Sequence, residues 1–319
     1  MMKEFSGRLA VVTGGGAGMG RELALQLSQA GCHLALCDVS VENLAESKRL
    51  CEANGKEGLV VSTHICDVSN ESQVQAFAEA VKEVHQTQAI NFLFNNAGIA
   101  GGGSFVNDNR NDWERCFNIS WFGVYYNSRA FLPMLMASEK GHIINLSSVN
   151  GFWATSGGIP HTAYSAAKYA IKGFSEALVV DLRTHAPHIK VSVVMPGYIG
   201  TELVANTIAQ LNEKEGSQEV DMAGARNRFR NMGVPVDEMT DDQLLGVMAE
   251  SAKAFANNAP TTAAQAATII LDGVSKEEWR ILVGEDAKQL DKMVRDAPEK
   301  AYDTDFIQRA RDTGAWTAW

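Results

Sequence analysis

The sequence predicts an α/β fold, a doubly wound parallel sheet of about seven strands with helices on both faces. Short runs rich in Val, Ile and Leu alternate with longer stretches of helical periodicity, the pattern of parallel strands joined by crossover helices. Those runs are continuously apolar rather than alternating, as strands covered on both faces must be. Polar residues collect at their C-terminal ends, where such sheets gather their ligands.

The first strand, 9–13, runs into a glycine-rich turn and a helix over 19–29, which Gly31 stops because it tolerates left-handed backbone. A second strand at 33–37 ends at Asp38, a helix follows through Glu52, and a third strand near 59–65 ends at Asp67. Runs at 90–94, 142–146 and 190–194 read as the fourth, fifth and sixth strands. Long helices are expected over 112–136 and 162–185. After Pro196 the pattern changes: 206–242 is polar, charged, Met-bearing and poorly periodic, before helices over 241–255 and 262–274 and a seventh strand at 279–283. We read 202–258 as a lid over the site, 285–319 as a C-terminal extension, and 1–319 as a single catalytic domain.

Composition narrows the function classes. With 45% hydrophobic residues in 319, the chain can bury a sizeable core. Lys and Arg number 28 against 38 Asp and Glu; a net charge of −10 repels phosphate backbones and anionic lipid, so neither nucleic acid nor a membrane is an expected partner. Cys32, Cys37, Cys51, Cys66 and Cys116 are odd in number and form no CxxC pair, so reduced thiols are expected, with no disulfide framework and no metal. No run approaches ~18 apolar residues, and the first residues carry Lys3, Glu4 and Arg8 rather than a signal-peptide core. A soluble, cytoplasmic protein is expected.

Between the first strand and its helix lies Thr13-Gly14-Gly15-Gly16-Ala17-Gly18-Met19-Gly20. Absent side chains let the backbone approach a pyrophosphate, and a helix N-terminus favours negative charge, so this segment reads as a dinucleotide seat. It fits GxGxxG in no frame. It resembles TGxxxGxG instead, on Thr13, Gly14, Gly18 and Gly20, the pattern of the short-chain dehydrogenase/reductase family of Rossmann-type oxidoreductases. Asp38, eighteen residues beyond Gly20, stands where a carboxylate accepts from the ribose hydroxyls of NAD and repels the extra phosphate of NADP; it could equally cap the helix that follows. Ala17 and Val39 occupy positions where NADP-using relatives often carry a basic residue, so NAD is the expected cofactor. The resemblance implies further cofactor contacts from Met19, from Asp67 and Val68 at the adenine, and from Asn95, Ala97 and Gly98 of an NNAG motif. It also implies contacts from Pro196, Gly197, Ile199 and Thr201 of a PG motif, the last two beside the nicotinamide.

Tyr164 and Lys168 are four apart on a helix, which puts phenol and ammonium on one face, one turn apart. A phenol with a pKa near ~10 is a poor base at neutral pH, and a neighbouring cation favours its ionised form. Ser148, at the end of the fifth strand, can place a hydroxyl in the cleft, whereas alternation turns Ser147 the other way. These residues match the family's catalytic Ser, Tyr and Lys, and Asn118 resembles its fourth member, a mid-helix asparagine at a local irregularity whose backbone carbonyl holds a water near Lys168. The implied reaction moves a hydride between NAD(H) and a secondary alcohol or ketone, with Tyr164 moving the hydroxyl proton. Phe152, Trp153, His161 and Tyr198 are candidates for an apolar, roomy substrate pocket. The resemblance spans roughly 7–201 and implies a homodimer or homotetramer built on the two long helices; Trp316 and Trp319 could cover a neighbouring subunit's site. An NADP-dependent carbonyl reductase and a non-catalytic nucleotide-binding scaffold are the competing readings.

Overall fold

Strands β1 (Leu9–Thr13), β2 (His33–Asp38), β3 (Val61–Ile65), β4 (Phe92–Asn95), β5 (Gly141–Leu146), β6 (Ile189–Pro196) and β7 (Arg280–Val283) form one parallel sheet, in the order β7-β6-β5-β4-β1-β2-β3. The structure, a computed structural model, describes residues 4–101, 103–212, 222–231 and 233–316. Strand order reverses between β1 and β4, so the turns leaving these two strands diverge and open a crevice at the sheet's C-terminal edge.

Helices α1 (Gly18–Ala30), α2 (Val41–Asn54), α3 (Glu71–His85), α4 (Arg110–Phe117), α5 (Gly123–Met136), α6 (Thr162–His185), α7 (Leu203–Asn212), α8 (Met222–Asn231), α9 (Asp241–Asn257), α10 (Ala263–Ser275), α11 (Glu285–Asp296) and α12 (Phe306–Asp312) complete the described chain. Strand alternation divides the core. Val12, Leu36, Phe94, Ile144 and Val194 meet Leu23 and Leu27 of α1 and Ile270 of α10 on one face. Val11, Ala35, Leu93 and Ile143 meet Phe77 of α3 and Phe131 of α5 on the other. Local signals set the helix ends: Ser40 and Asn70 accept the N–H groups of Asn43 and Gln73, Thr240 and Thr262 form capping boxes with Gln243 and Gln265, and Gly31 ends α1 at φ 83°.

The structure departs from the sequence reading in three places. α3 was missing from it, although Val74, Phe77, Ala78 and Val81 carry the apolar spacing of a helix face. The 112–136 helix is α4 and α5 joined by a π-helical stretch, Asn118–Phe122. The polar 206–242 segment holds most of α7 and all of α8, and its Ala225, Phe229 and Val236 form an apolar cluster with Leu244 and Met248 of α9. Residues 213–221 of the expected lid lie outside the described residues.

The C-terminal extension builds a fourth apolar cluster rather than a loose tail. Leu290 and Val294 of α11, Phe306 and Ala310 of α12, and Trp316 pack with Trp153 and Tyr198. Trp316 is therefore buried in its own chain, not exposed for a neighbouring subunit; Trp319 lies outside the described residues.

Candidate active site

The turn after β1 is fitted by contact. A Cβ on Gly20 would stand 2.0 Å from the Gly14 carbonyl oxygen, and one on Gly14, at φ 63°, 2.9 Å from the Cα of Ala97. No side chain fits at either position, so β1's turn and the 96–98 turn after β4 lie against each other. Asn96 holds them there: its Nδ2 donates to the carbonyls of Thr13 at 2.9 Å and Gly14 at 3.2 Å, while the N–H groups of Asn96 and Ala97 donate to Thr13 Oγ1 at 3.0 Å. Ala17, at the N-cap of α1, gives no side-chain cap, which leaves first-turn N–H groups for an anion in the cleft.

A cleft of about 510 Å³ opens beside this turn. Gly14, Gly18, Met19, Asp38, Asp67, Val68, Ala97, Gly98 and Thr201 all line it. Asp38 accepts the Gly16 N–H at 3.0 Å through one oxygen and the Ser40 N–H at 3.1 Å through the other, while Ser40 caps α2. Asp67 accepts from the Ser69 N–H at 2.9 Å and its hydroxyl at 2.6 Å. The residues lining the cleft include Asp38, Asp67 and Glu202 but neither Lys, Arg nor His. A glycine turn with uncapped amides, a carboxylate at the end of β2 and a cleft of this size fit a dinucleotide.

Four of the implied cofactor residues stand behind the cleft wall. Asn95, 2% exposed, bonds Asn145 Oδ1 at 2.7 Å and Ser128 Oγ at 3.0 Å, cross-linking β4, β5 and α5 beneath the site. Of the structural and cofactor-facing roles that the NNAG motif implies, these bonds are the structural one. Pro196 ends β6, Gly197 packs on Asp286, and the Ile199 side chain lies in the core, its backbone paired with Thr261.

At the mouth of β5, Ser147 and Ser148 diverge. Ser147 Oγ donates to the Lys168 carbonyl at 2.8 Å, whereas the Ser148 hydroxyl donates to Asn150 Oδ1 at 3.4 Å and favours the ionised form of the Tyr164 phenol. Asn150 fixes Ser148 by donating its N–H to the hydroxyl at 3.2 Å. Lys168, 4% exposed, lies with Nζ 5.2 Å from the Tyr164 ring centroid and donates to the Leu146 carbonyl at 2.8 Å. Poor solvation disfavours both charged forms: the Tyr164 phenol is pushed up to about 12 and the Lys168 ammonium down to about 8. His161 stands edge to face with Tyr164, centroids 5.1 Å apart, and burial lowers its imidazole to about 4, so it is neutral at physiological pH.

Asn118 does not join this group. It opens the π-helical stretch, its carbonyl accepts the Gly123 N–H, and its side chain is exposed. The residue of that stretch facing Lys168 is Ser120, fully buried, with Oγ donating to Ile99 O at 3.3 Å. A Cβ on Gly98 would lie 3.6 Å from Ser120 Oγ and 3.7 Å from Lys168 Nζ. The register is corrected because the π stretch admits an extra residue per turn and rotates the following positions inward.

Trp153 and Tyr198 are likewise corrected as substrate candidates. Trp153 is 1% exposed with Nε1 donating to Ala301 O at 2.8 Å, and Tyr198 is 7% exposed with its hydroxyl donating to Phe255 O at 2.8 Å. Their polar tips serve the fold. Phe152 packs partly buried on the same cluster, and His161 alone of the four touches Tyr164.

Comparison with known proteins agrees with this geometry. A short chain dehydrogenase family model matches residues 8–212. SadH of Mycobacterium tuberculosis is 35% identical over 295 residues, 92% of each chain. A short chain dehydrogenase/reductase from Burkholderia phymatum, solved in complex with NAD, superposes with TM-score 0.74 at 27% identity, covering 93% of this chain and 95% of that one. A metagenomic short-chain oxidoreductase in complex with NADP gives TM-score 0.54 at 32% identity, covering 60% and 83%. The chain belongs to the short-chain dehydrogenase/reductase family and is an oxidoreductase.

Proposed function

We propose that the protein moves a hydride between NAD(H) and a secondary alcohol or ketone, with Tyr164 moving the proton of the hydroxyl. The observation that carries this is Lys168 Nζ 5.2 Å from the Tyr164 phenol ring and beside Gly98, which lines the acid-bearing cleft, with the Ser148 hydroxyl favouring the ionised phenol. When bound, the nicotinamide supplies the carbon that takes or gives the hydride, and in its oxidised state a positive charge.

The chain's own residues do the rest. Ser148 donates to the substrate oxygen and holds it against Tyr164. Tyr164 takes the proton from an alcohol or returns it to the forming alkoxide. Lys168, held by the Leu146 carbonyl, supplies the positive charge that makes the phenolate accessible despite burial. Neutral His161 offers a ring face and a polar edge beside Tyr164, suited to an apolar substrate with its oxygen at one end.

NAD is favoured over NADP because Asp38 ends β2 and, among the described residues, no cationic side chain lines the cleft to receive a further phosphate. We read 202–258 as the lid of a single catalytic domain, tied to the loop after β4 where the Ala100 N–H donates to Thr207 Oγ1 at 3.0 Å. Self-association through α5 and α6 belongs to the same reading, with Tyr125 of α5 and Tyr169 of α6 exposed; a sedimentation profile of a monomer alone would contradict it. Among the described residues no helix is long and apolar enough to cross a membrane.

The test is absorbance at the reduced nicotinamide band while secondary alcohols, from small aliphatic to bulky aryl, are offered with NAD and separately with NADP. Turnover with NAD is expected. Turnover with NADP alone overturns the cofactor reading, and tight binding of neither dinucleotide overturns the function.

A further inference from the structure

Asp286 lies in the first turn of α11, outside every element of the site described above, and is 8% exposed. Its carboxylate reaches into the turn that follows β6. Oδ2 accepts the Tyr198 backbone N–H at 2.7 Å, while Oδ1 is buried without a hydrogen-bond partner among the described residues. The surroundings leave it little freedom. A Cβ on Gly197 would stand 2.3 Å from Oδ2 and 2.5 Å from Oδ1, and one on Gly284 would stand 2.3 Å from Oδ1. Glycines at the ends of two adjacent strands thus make room for one acidic side chain.

That turn leads into the cleft. Gly197 N–H donates to Val283 O at 2.9 Å, Ile199 pairs with Thr261, and three residues past Tyr198 comes Thr201, which lines the cleft. A Cβ on Gly18 of the glycine turn would be 3.3 Å from Thr201 Cβ, so the two walls of the cleft face each other at this point. α11 is itself fastened to β7: Asp291, 1% exposed, pairs with Arg280 of β7 and with Arg295 at 2.9 Å. A rigid path runs from the sheet through α11 and Asp286 to the turn bearing Thr201.

We propose that Asp286 is a positioning residue for dinucleotide binding, by which the C-terminal extension fixes the 196–201 turn and so the wall that Thr201 presents to the cleft. The proposal rests on the dinucleotide reading given above. Oδ2 supplies the acceptor for the Tyr198 N–H; an amide oxygen can take the same bond, whereas a methyl removes the acceptor.

The experiment compares wild type, Asp286→Asn and Asp286→Ala for NADH binding by fluorescence, dinucleotide KM, kcat at saturating dinucleotide, and melting temperature. Dissociation constant and KM are expected to rise about tenfold in Asp286→Ala, the scale of one lost charge-assisted hydrogen bond, and less in Asp286→Asn, whose amide oxygen can still accept the Tyr198 N–H, with kcat at saturation changed less than about twofold in both. Unchanged affinity, or a lower kcat at unchanged KM as from a smaller folded fraction, overturns the proposal while leaving the dinucleotide reading intact. Absence of NADH binding by wild type overturns both. If neither variant folds, amide hydrogen exchange on the wild-type protein decides: a Tyr198 N–H protected without dinucleotide supports the proposal, and one exchanging at the rate of an open loop overturns it.

Discussion

Trp153 and Trp316 meet edge to face, with ring centroids 5.3 Å apart and planes at 74°. The loop leaving the active-site strand is thus held by the last described turn of the chain. Trp153 sits five residues beyond Ser148, and a Cβ on Gly157, in the loop toward α6, would be 2.5 Å from Trp316 Nε1.

Trp316→Ala should therefore cost about 3–5 kcal/mol, as for a large aromatic removed from a core, and lower kcat by loosening the segment after Ser148. The Trp316 indole N–H is buried without a partner among the described residues, so Trp316→Phe should cost much less. Urea denaturation of both variants checks this; a wild-type midpoint for Trp316→Ala would mean that the extension is not part of the folded core.

Asp38 has two tasks, and they separate in a cofactor comparison. Because it holds the Gly16 N–H, Asp38→Ala should slow turnover with either dinucleotide. Combined with Val39→Arg it should shift the NADP-to-NAD ratio of kcat/KM by ~10²-fold or more, since a repulsive carboxylate becomes a phosphate-pairing guanidinium. An unmoved ratio would show that selection lies elsewhere.

His142 gives stability a pH dependence. It is 4% exposed, and burial lowers its imidazole to about 3 from an unfolded value of 6.5. Between those values the unfolded chain binds a proton that the folded chain does not, so stability falls as pH falls through this window, by ~1.4 kcal/mol per unit. Above pH 6.5 this histidine contributes no slope. Nε2 lies 2.8 Å from Ser192 Oγ, whose proton goes to the Glu278 carbonyl, so Nε2 carries the hydrogen. Denaturation at pH 7, 6 and 5 should show a shallower acid slope in His142→Gln than in wild type, and equal slopes would count against the assignment.

The sheet was legible because buried parallel strands are written as short apolar runs, and their turns as glycine, Asp38 and Asp67. The Ser148, Tyr164 and Lys168 cluster was legible because each is fixed by a strand end or a helical spacing. What escaped the sequence depends on tertiary context. The π-helical stretch that puts Ser120 rather than Asn118 near Lys168 leaves no propensity signal. Trp153 and Tyr198 resemble pocket aromatics until the C-terminal helices are placed over them, and Asp286 resembles an ordinary helix-start acid until its distance to Tyr198 is known.

The account's central claim is that Tyr164 moves the proton while the cleft binds the dinucleotide. Tyr164→Phe removes one hydroxyl from a position where Ser148 and Lys168 remain, and the variant should be measured for NADH binding by fluorescence and for turnover by absorbance, beside wild type. The account predicts NADH affinity within about threefold of wild type and turnover reduced by at least ~10³-fold, consistent with loss of general acid–base catalysis. Turnover within tenfold of wild type at equal NADH affinity would contradict it.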